Sequence, residues 1–155
     1  MQTVVTLQEE GSVMRLFCYG TLQFPVIMRM VCGHRCAGLP VVLDNHACYR
    51  VRGEVFPGLV PEQRARTRGV VYDGLGMAQL RRIDAFETGF YQRCRVVVHD
   101  DSERPLQAWA YFVSPGKRAR LTDEPWDRDL FGQLHMKQFL CSLRGGSGAQ
   151  PENSG

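Results

Sequence analysis

Two short stretches carry residue types from which chemistry could be built. The first is Phe17-Cys18-Tyr19-Gly20-Thr21-Leu22. An apolar strand that ends in glycine and runs into a helix start leaves several backbone N–H groups unpaired. Such a turn suits an anion, a carboxylate or a phosphate, and the glycine permits close approach to the backbone. The second is Ile83-Asp84-Ala85-Phe86-Glu87, followed by Thr88-Gly89-Phe90. Glu87 closes an expected helix and so meets the negative end of its dipole, an unfavourable place by about 0.3–1 kcal/mol. Phe86 and Phe90 flank it. Partial burial there disfavours the ionised form, which is how a glutamate is tuned toward acid–base work near neutral pH. Asp84 shares the dipole penalty and has no better case. Both stretches also have plainer readings: a simple turn, and an exposed glutamate at a frayed helix end.

Other chemistry finds little support. No G-x-S-x-G elbow, phosphate loop or G-x-G-x-x-G is present. Cys18 adjoins the glycine break, but no histidine partner is evident and it reads as a core thiol. Cys32, His34, Cys36, His46 and Cys48 begin with a C-x3-C pair, yet no second pair follows at zinc-ligand spacing. Neither a metal nor a cofactor is implied.

The chain has 155 residues, 44% of them hydrophobic, which fits one soluble globular domain. No apolar run approaches the roughly 20 residues that cross a bilayer. The opening MQTVVTLQEEGS carries Glu9 and Glu10 and reads as no secretory signal. The six cysteines, Cys18, Cys32, Cys36, Cys48, Cys94 and Cys141, are therefore expected to be reduced thiols in the cytoplasm. Net charge is only +3, but arginine far outnumbers lysine. Arg50 with Arg52, Arg64 with Arg66 and Arg68, and Arg93 with Arg95 alternate as on one strand face. A solvated sheet face is the simple reading. A nucleic-acid patch is the alternative, and the small net charge weighs against it.

The elements that must position the two stretches follow from pattern. Residues 14–19 read as a buried strand and 24–32 as a helix, with Thr21 as its cap, Pro25 in its first turn and Gly33 as its stop. Strands are expected at 46–51, irregularly at 55–61, and at 68–72, where Asp73-Gly74 ends the run. Met77, Leu80, Ile83 and Phe86 give an amphipathic helix over 76–86. Strands at 92–99 and 107–113 flank a polar turn at 100–104. A last helix starts around Asp123 and Pro125 and runs to about Leu143. Residues 1–143 form the domain, and 144–155 are too polar to fold and read as a disordered tail. About six strands with two or three helices, without regular alternation, indicate an α+β fold with a small, strongly curved or barrel-like mixed sheet.

In this order the motifs resemble the gamma-glutamylcyclotransferase-like family, including the gamma-glutamylamine cyclotransferases. The likeness rests on YGTL at 19–22, GEVF at 53–56, GVVYDG at 69–74, IDAFE at 83–87, YQR at 91–93 and QAWAYFV at 107–113. It implies a small barrel with a cavity beside the first strand. It makes Tyr19, Gly20, Thr21 and Leu22 a substrate loop, Glu87 the acid–base carboxylate and Tyr111 an aromatic residue near the cavity. One departure is the TGF that separates the glutamate from Y-x-R, where relatives often have proline or another spacer. The implied reaction cyclises a gamma-glutamyl amide or gamma-glutamyl amino acid to 5-oxoproline and releases the amine. No cofactor, metal, membrane or nucleic acid takes part; the partner is a small gamma-glutamyl substrate, and oligomeric state is open. The alternative on the same fold is a non-catalytic protein that binds a small carboxylate ligand.

Overall fold

The computed structural model describes residues 14–33, 35–87 and 89–144. The expectations for 145–155 and for His34 lie outside them.

Strand β1, Met14–Cys18, is almost wholly buried. After a single 3₁₀ turn, Thr21–Gln23, helix α1 runs over Pro25–Cys32. Proline at the first helical position needs no N–H partner there, and Gly33 closes the helix in the left-handed region at φ 85°, its N–H bonded to the Arg29 carbonyl. Phe24, not Thr21, occupies the cap position, and no side chain caps the helix. Thr21 had no chance to do so, because it is itself inside the 3₁₀ turn.

β2, Gly38–Val51, and β3, Pro57–Leu75, form one long antiparallel ribbon. The two pieces expected at 55–61 and 68–72 are thus a single strand. An irregularity absorbs the polar residues between them: Asp44 faces Arg66, but His46 faces Pro61. Asn45 and Arg64 both have positive φ at this bend, and Asn45 Oδ1 accepts from the Arg64 amide at 3.0 Å. Such an insertion kinks a ribbon and raises its twist, which lets it wrap around the core. It also takes Arg64 out of step with Arg66 and Arg68.

α2, Met77–Glu87, opens with the Gln79 side chain accepting from the Gly76 amide at 2.7 Å. β4, Tyr91–His99, and β5, Pro105–Val113, make a regular hairpin across the expected polar turn. β6, Leu121–Pro125, is a strand where a helix start was expected. It pairs with β2 through Tyr49 and Val51, and the chain turns helical only at Arg128, where Asp127 accepts from the Leu130 amide. One α-turn, a π-helical segment over Phe131–His135 and helix α3, Met136–Arg144, complete the chain.

The strand order is β3-β1-β5-β4-β2-β6, and β3 also pairs with β2. Five strands therefore close on themselves, with β6 on the outer edge of β2, and the fold is α+β as expected. Alternation along β1 divides the core. Phe17 and Tyr19 point into the barrel with Leu59, Val71 and Phe112. Leu16 and Cys18 face the helices with Ile27, Met28, Ile83, Tyr111 and Phe131.

Gly69 shows how closely β1 and β3 pack. A Cβ added there would lie 2.4 Å from the Cys18 carbonyl oxygen and 2.7 Å from a Phe17 ring carbon. Backbone cannot give way cheaply, so Gly69→Ala is expected to cost about 2–3 kcal/mol. That lowers the melting midpoint by roughly 5–10 °C for a domain of this size. An unchanged midpoint in a thermal melt would contradict this packing.

The arginine stripes are mostly solvated, as their pattern suggests: Arg52, Arg64, Arg66, Arg68 and Arg95 are exposed. Arg66 pairs with Asp44, Arg50 with Glu124, and Arg93, only 24% exposed in its side chain, with Asp84. No helix among the described residues is long and apolar enough to cross a membrane.

Candidate functional site

The turn after β1 is held from several sides. Gly20 has φ −119° and ψ −134°, outside both the extended and the helical regions. Space also calls for glycine: a Cβ would sit 2.8 and 2.9 Å from ring carbons of Pro57. Within the turn the Gln23 amide donates to the Gly20 carbonyl at 3.0 Å and the Phe24 amide to the Thr21 carbonyl at 3.2 Å. Gln23 Nε2 reaches back to the Tyr19 carbonyl at 2.6 Å, and the Tyr72 hydroxyl donates to the Leu22 carbonyl at 2.7 Å. Thr21, Leu22 and Gln23 are all buried.

Glu87 is buried too, at 9% exposure, and the frayed-end reading is wrong. The cause is helical phase. Leu80, Ile83 and Glu87 are spaced by three and four residues, so the carboxylate lies on the same stripe as the apolar side chains that seat α2 on the sheet. Three residues before it, Asp84 takes both donors of Arg93, Nε at 2.9 Å and Nη2 at 3.1 Å. The Tyr111 hydroxyl donates to Asp84 Oδ1 at 2.5 Å, and the Tyr111 carbonyl accepts from the Tyr19 hydroxyl at 2.6 Å. The Tyr91 hydroxyl donates to the Pro57 carbonyl at 2.6 Å.

These groups surround one cavity of about 30 Å³, lined by Phe17, Cys18, Tyr19, Gly20, Thr21, Leu22, Phe56, Pro57, Glu87, Tyr91 and Tyr111. All six residues singled out in the sequence, Tyr19, Gly20, Thr21, Leu22, Glu87 and Tyr111, meet there. Tyr91, Phe56 and Pro57 were missed as lining residues, although YQR and GEVF had marked their neighbourhoods.

Glu87 is the one carboxylate among the described lining residues. Its neighbours are unsuited to replace it. Burial, with the negative charge of Glu87 second, raises the Cys18 thiol well above its ordinary range, so Cys18 is no ready nucleophile. Burial raises the Tyr19 phenol. Burial, then the hydrogen bond to Asp84, raises that of Tyr111. Both phenols stay protonated at neutral pH. The cavity therefore offers one proton-transfer group, a backbone turn and neutral hydroxyls.

A larger cleft, about 720 Å³, shares Tyr19 as a wall. Several of its charged groups have partners: Glu62 accepts from the Tyr49 hydroxyl, Arg66 pairs with Asp44, Arg128 with Asp129, and Asp127 caps a helical turn. No group of three or more metal-ligating side chains occurs among the described residues.

A five-stranded barrel with a buried carboxylate lining the same cavity as a strand-end turn defines a class, and sequence comparison gives it a family. The model of the family "Gamma-glutamyl cyclotransferase, AIG2-like" matches residues 16–128, and the chain belongs to that family. Among curated relatives, "AIG2-like protein D" of Arabidopsis thaliana is 26% identical over 132 residues, covering 81% of this chain and 83% of its own. "Protein AIG2 B" of the same plant is 28% identical over 126 residues, covering 81% and 74%. An Arabidopsis thaliana protein solved in solution superposes with TM-score 0.67 at 23% identity, covering 85% of this chain and 80% of that one. A solved "Gamma-glutamyl cyclotransferase" superposes with TM-score 0.60 at 13% identity, covering 66% and 67%. These structural likenesses are likenesses of fold.

Proposed function

We propose that the protein is a gamma-glutamylcyclotransferase that converts a gamma-glutamyl amide or gamma-glutamyl amino acid into 5-oxoproline and the free amine. The observation that carries this reading is the burial of Glu87 in the same cavity as the Gly20–Leu22 turn. Family membership supports it.

The substrate brings its own nucleophile. Backbone amides of residues 20–22 hold its α-carboxylate, which places the α-amine near Glu87. Glu87 takes a proton from the α-ammonium. The amine nitrogen attacks the gamma-carbonyl carbon, and a new C–N bond closes a five-membered ring. As the tetrahedral centre collapses, the original amide C–N bond breaks, Glu87 returns its proton to the leaving nitrogen, and the ring nitrogen sheds its second proton to become the lactam N–H, so that the amine departs as its ammonium. Orientation of such an intramolecular attack supplies roughly 7–11 kcal/mol of barrier reduction. One positioned proton-transfer group adds about 10²–10⁴-fold. A single carboxylate between phenols that stay protonated matches that demand.

The test is a panel of gamma-glutamyl amino acids and gamma-glutamyl amines with 5-oxoproline as the readout. At least one class is expected to turn over, with amine and 5-oxoproline released in equal amounts. Binding without turnover across the whole panel would favour a carboxylate-binding protein on this fold.

A further inference from the structure

The hydrogen bonds around Tyr111 fix more than a ring. A phenol has one proton and two lone pairs. The proton of Tyr111 goes to Asp84 Oδ1 at 2.5 Å. Asp84 is in turn gripped by both donors of Arg93, which leaves it with acceptors only. Arg93 is fixed by more than this pair. Its guanidinium lies 4.4 Å over the Trp109 ring, and Arg93 stands directly opposite Tyr111 in the β4–β5 ladder. Tyr111 is 5% exposed and lines the cavity with Glu87. With its proton committed, its hydroxyl has only lone pairs left to offer.

We propose that Asp84 and Arg93 are positioning residues that hold the Tyr111 hydroxyl as a hydrogen-bond acceptor toward the cavity, where it receives an N–H of the substrate's α-amine. This rests on the function proposed above and deepens it. The cavity then reads both ends of an α-amino acid head: backbone donors in the turn for the carboxylate, and Glu87 with the Tyr111 oxygen as acceptors for the amine. An acceptor there would repel a carboxylate, so it also sets which way round the head enters.

Asp84→Asn loosens the device. Asp84 Oδ1 serves both the Tyr111 proton and Arg93 Nε, so either orientation of the amide sets its NH2 against a guanidinium donor; the grip weakens and the Tyr111 proton is released toward the cavity, against the amine. The test measures binding by calorimetry in the Glu87→Gln background, where turnover does not intervene. The probes are gamma-glutamylbutylamine and N-butylglutaramate, its counterpart without the α-amine. Asp84→Asn is expected to weaken the first about tenfold and to leave the second within twofold. Tyr111→Phe, which leaves the Asp84–Arg93 pair intact, is expected to show the same selectivity should the Asn variant fold poorly. Arg93→Lys keeps the charge but loses the two-pronged grip, and an intermediate loss is expected. Equal weakening of both probes would reduce Asp84 to a structural role and overturn the proposal, as would unchanged affinity for both. If Glu87→Gln alone binds neither probe, the substrate reading itself fails and this inference falls with it, before any second substitution is made.

Discussion

Glu87→Gln is expected to lower kcat by about 10²–10⁴-fold, with KM changed little and the melting midpoint preserved. Glutamine keeps the size of the side chain and a carbonyl acceptor, but it cannot take a proton from an ammonium and return it to a leaving nitrogen. Nothing else in the cavity takes over. The neighbouring phenols Tyr19 and Tyr111 and the thiol of Cys18 all have proton affinities pushed up by burial. Parallel measurement of steady-state kinetics and thermal unfolding checks this. Turnover at the wild-type rate would remove Glu87 from the reaction, and a collapse of the midpoint would make its role structural.

The second large effect is on stability at high pH. Burial raises the pKa of six thiols and phenols above their ordinary values: Cys18, Cys36, Cys48, Tyr19, Tyr72 and Tyr111. In the unfolded chain the thiols lose their protons near about 8.5 and the phenols near about 10. Above those values the folded state binds more protons than the unfolded one, so stability falls as pH rises. The loss begins between about pH 8.5 and 9 with the thiols and steepens past about 10 with the phenols. The loss keeps growing with pH for as long as these groups hold their protons in the folded state. Urea midpoints measured from pH 7 to 11 are expected to be level to about pH 8.5 and then to fall ever more steeply. A flat profile to pH 11 would show that these groups ionise without unfolding the core.

Much of this architecture is written locally. The buried run of β1, Pro25 and Gly33 at the ends of α1, and the aromatic β5 are each signalled by a few consecutive residues. The burial of Glu87 was legible as well, and more fully than its flanking phenylalanines suggest. Its spacing from Leu80 and Ile83 puts it on the seated face of α2. What the pattern did not disclose is non-local. Residues 62–65 fall in the irregularity of the ribbon, between the Asp44–Arg66 and His46–Pro61 pairs, and no local pattern joins the pieces on either side of them into one strand. Leu121–Pro125 looks like a helix start because of its Asp and Pro, yet Tyr49 and Val51 recruit it as β6. The Arg93 stripe reads as solvated until α2 brings Asp84 over it. For the same reason no motif could say which way the Tyr111 hydroxyl points.

The central claim is that ring closure occurs within one substrate, guided by Glu87 and the turn after Tyr19. It is tested most directly by a gamma-glutamyl compound carrying ¹⁵N in its α-amine, with products followed by mass spectrometry and NMR. The account requires 5-oxoproline with the label in its ring nitrogen, unlabelled released amine, and formation slowed by about 10²–10⁴-fold in Glu87→Gln. Labelled free glutamate in place of 5-oxoproline would mean that water, not the α-amine, is the nucleophile, and would contradict it.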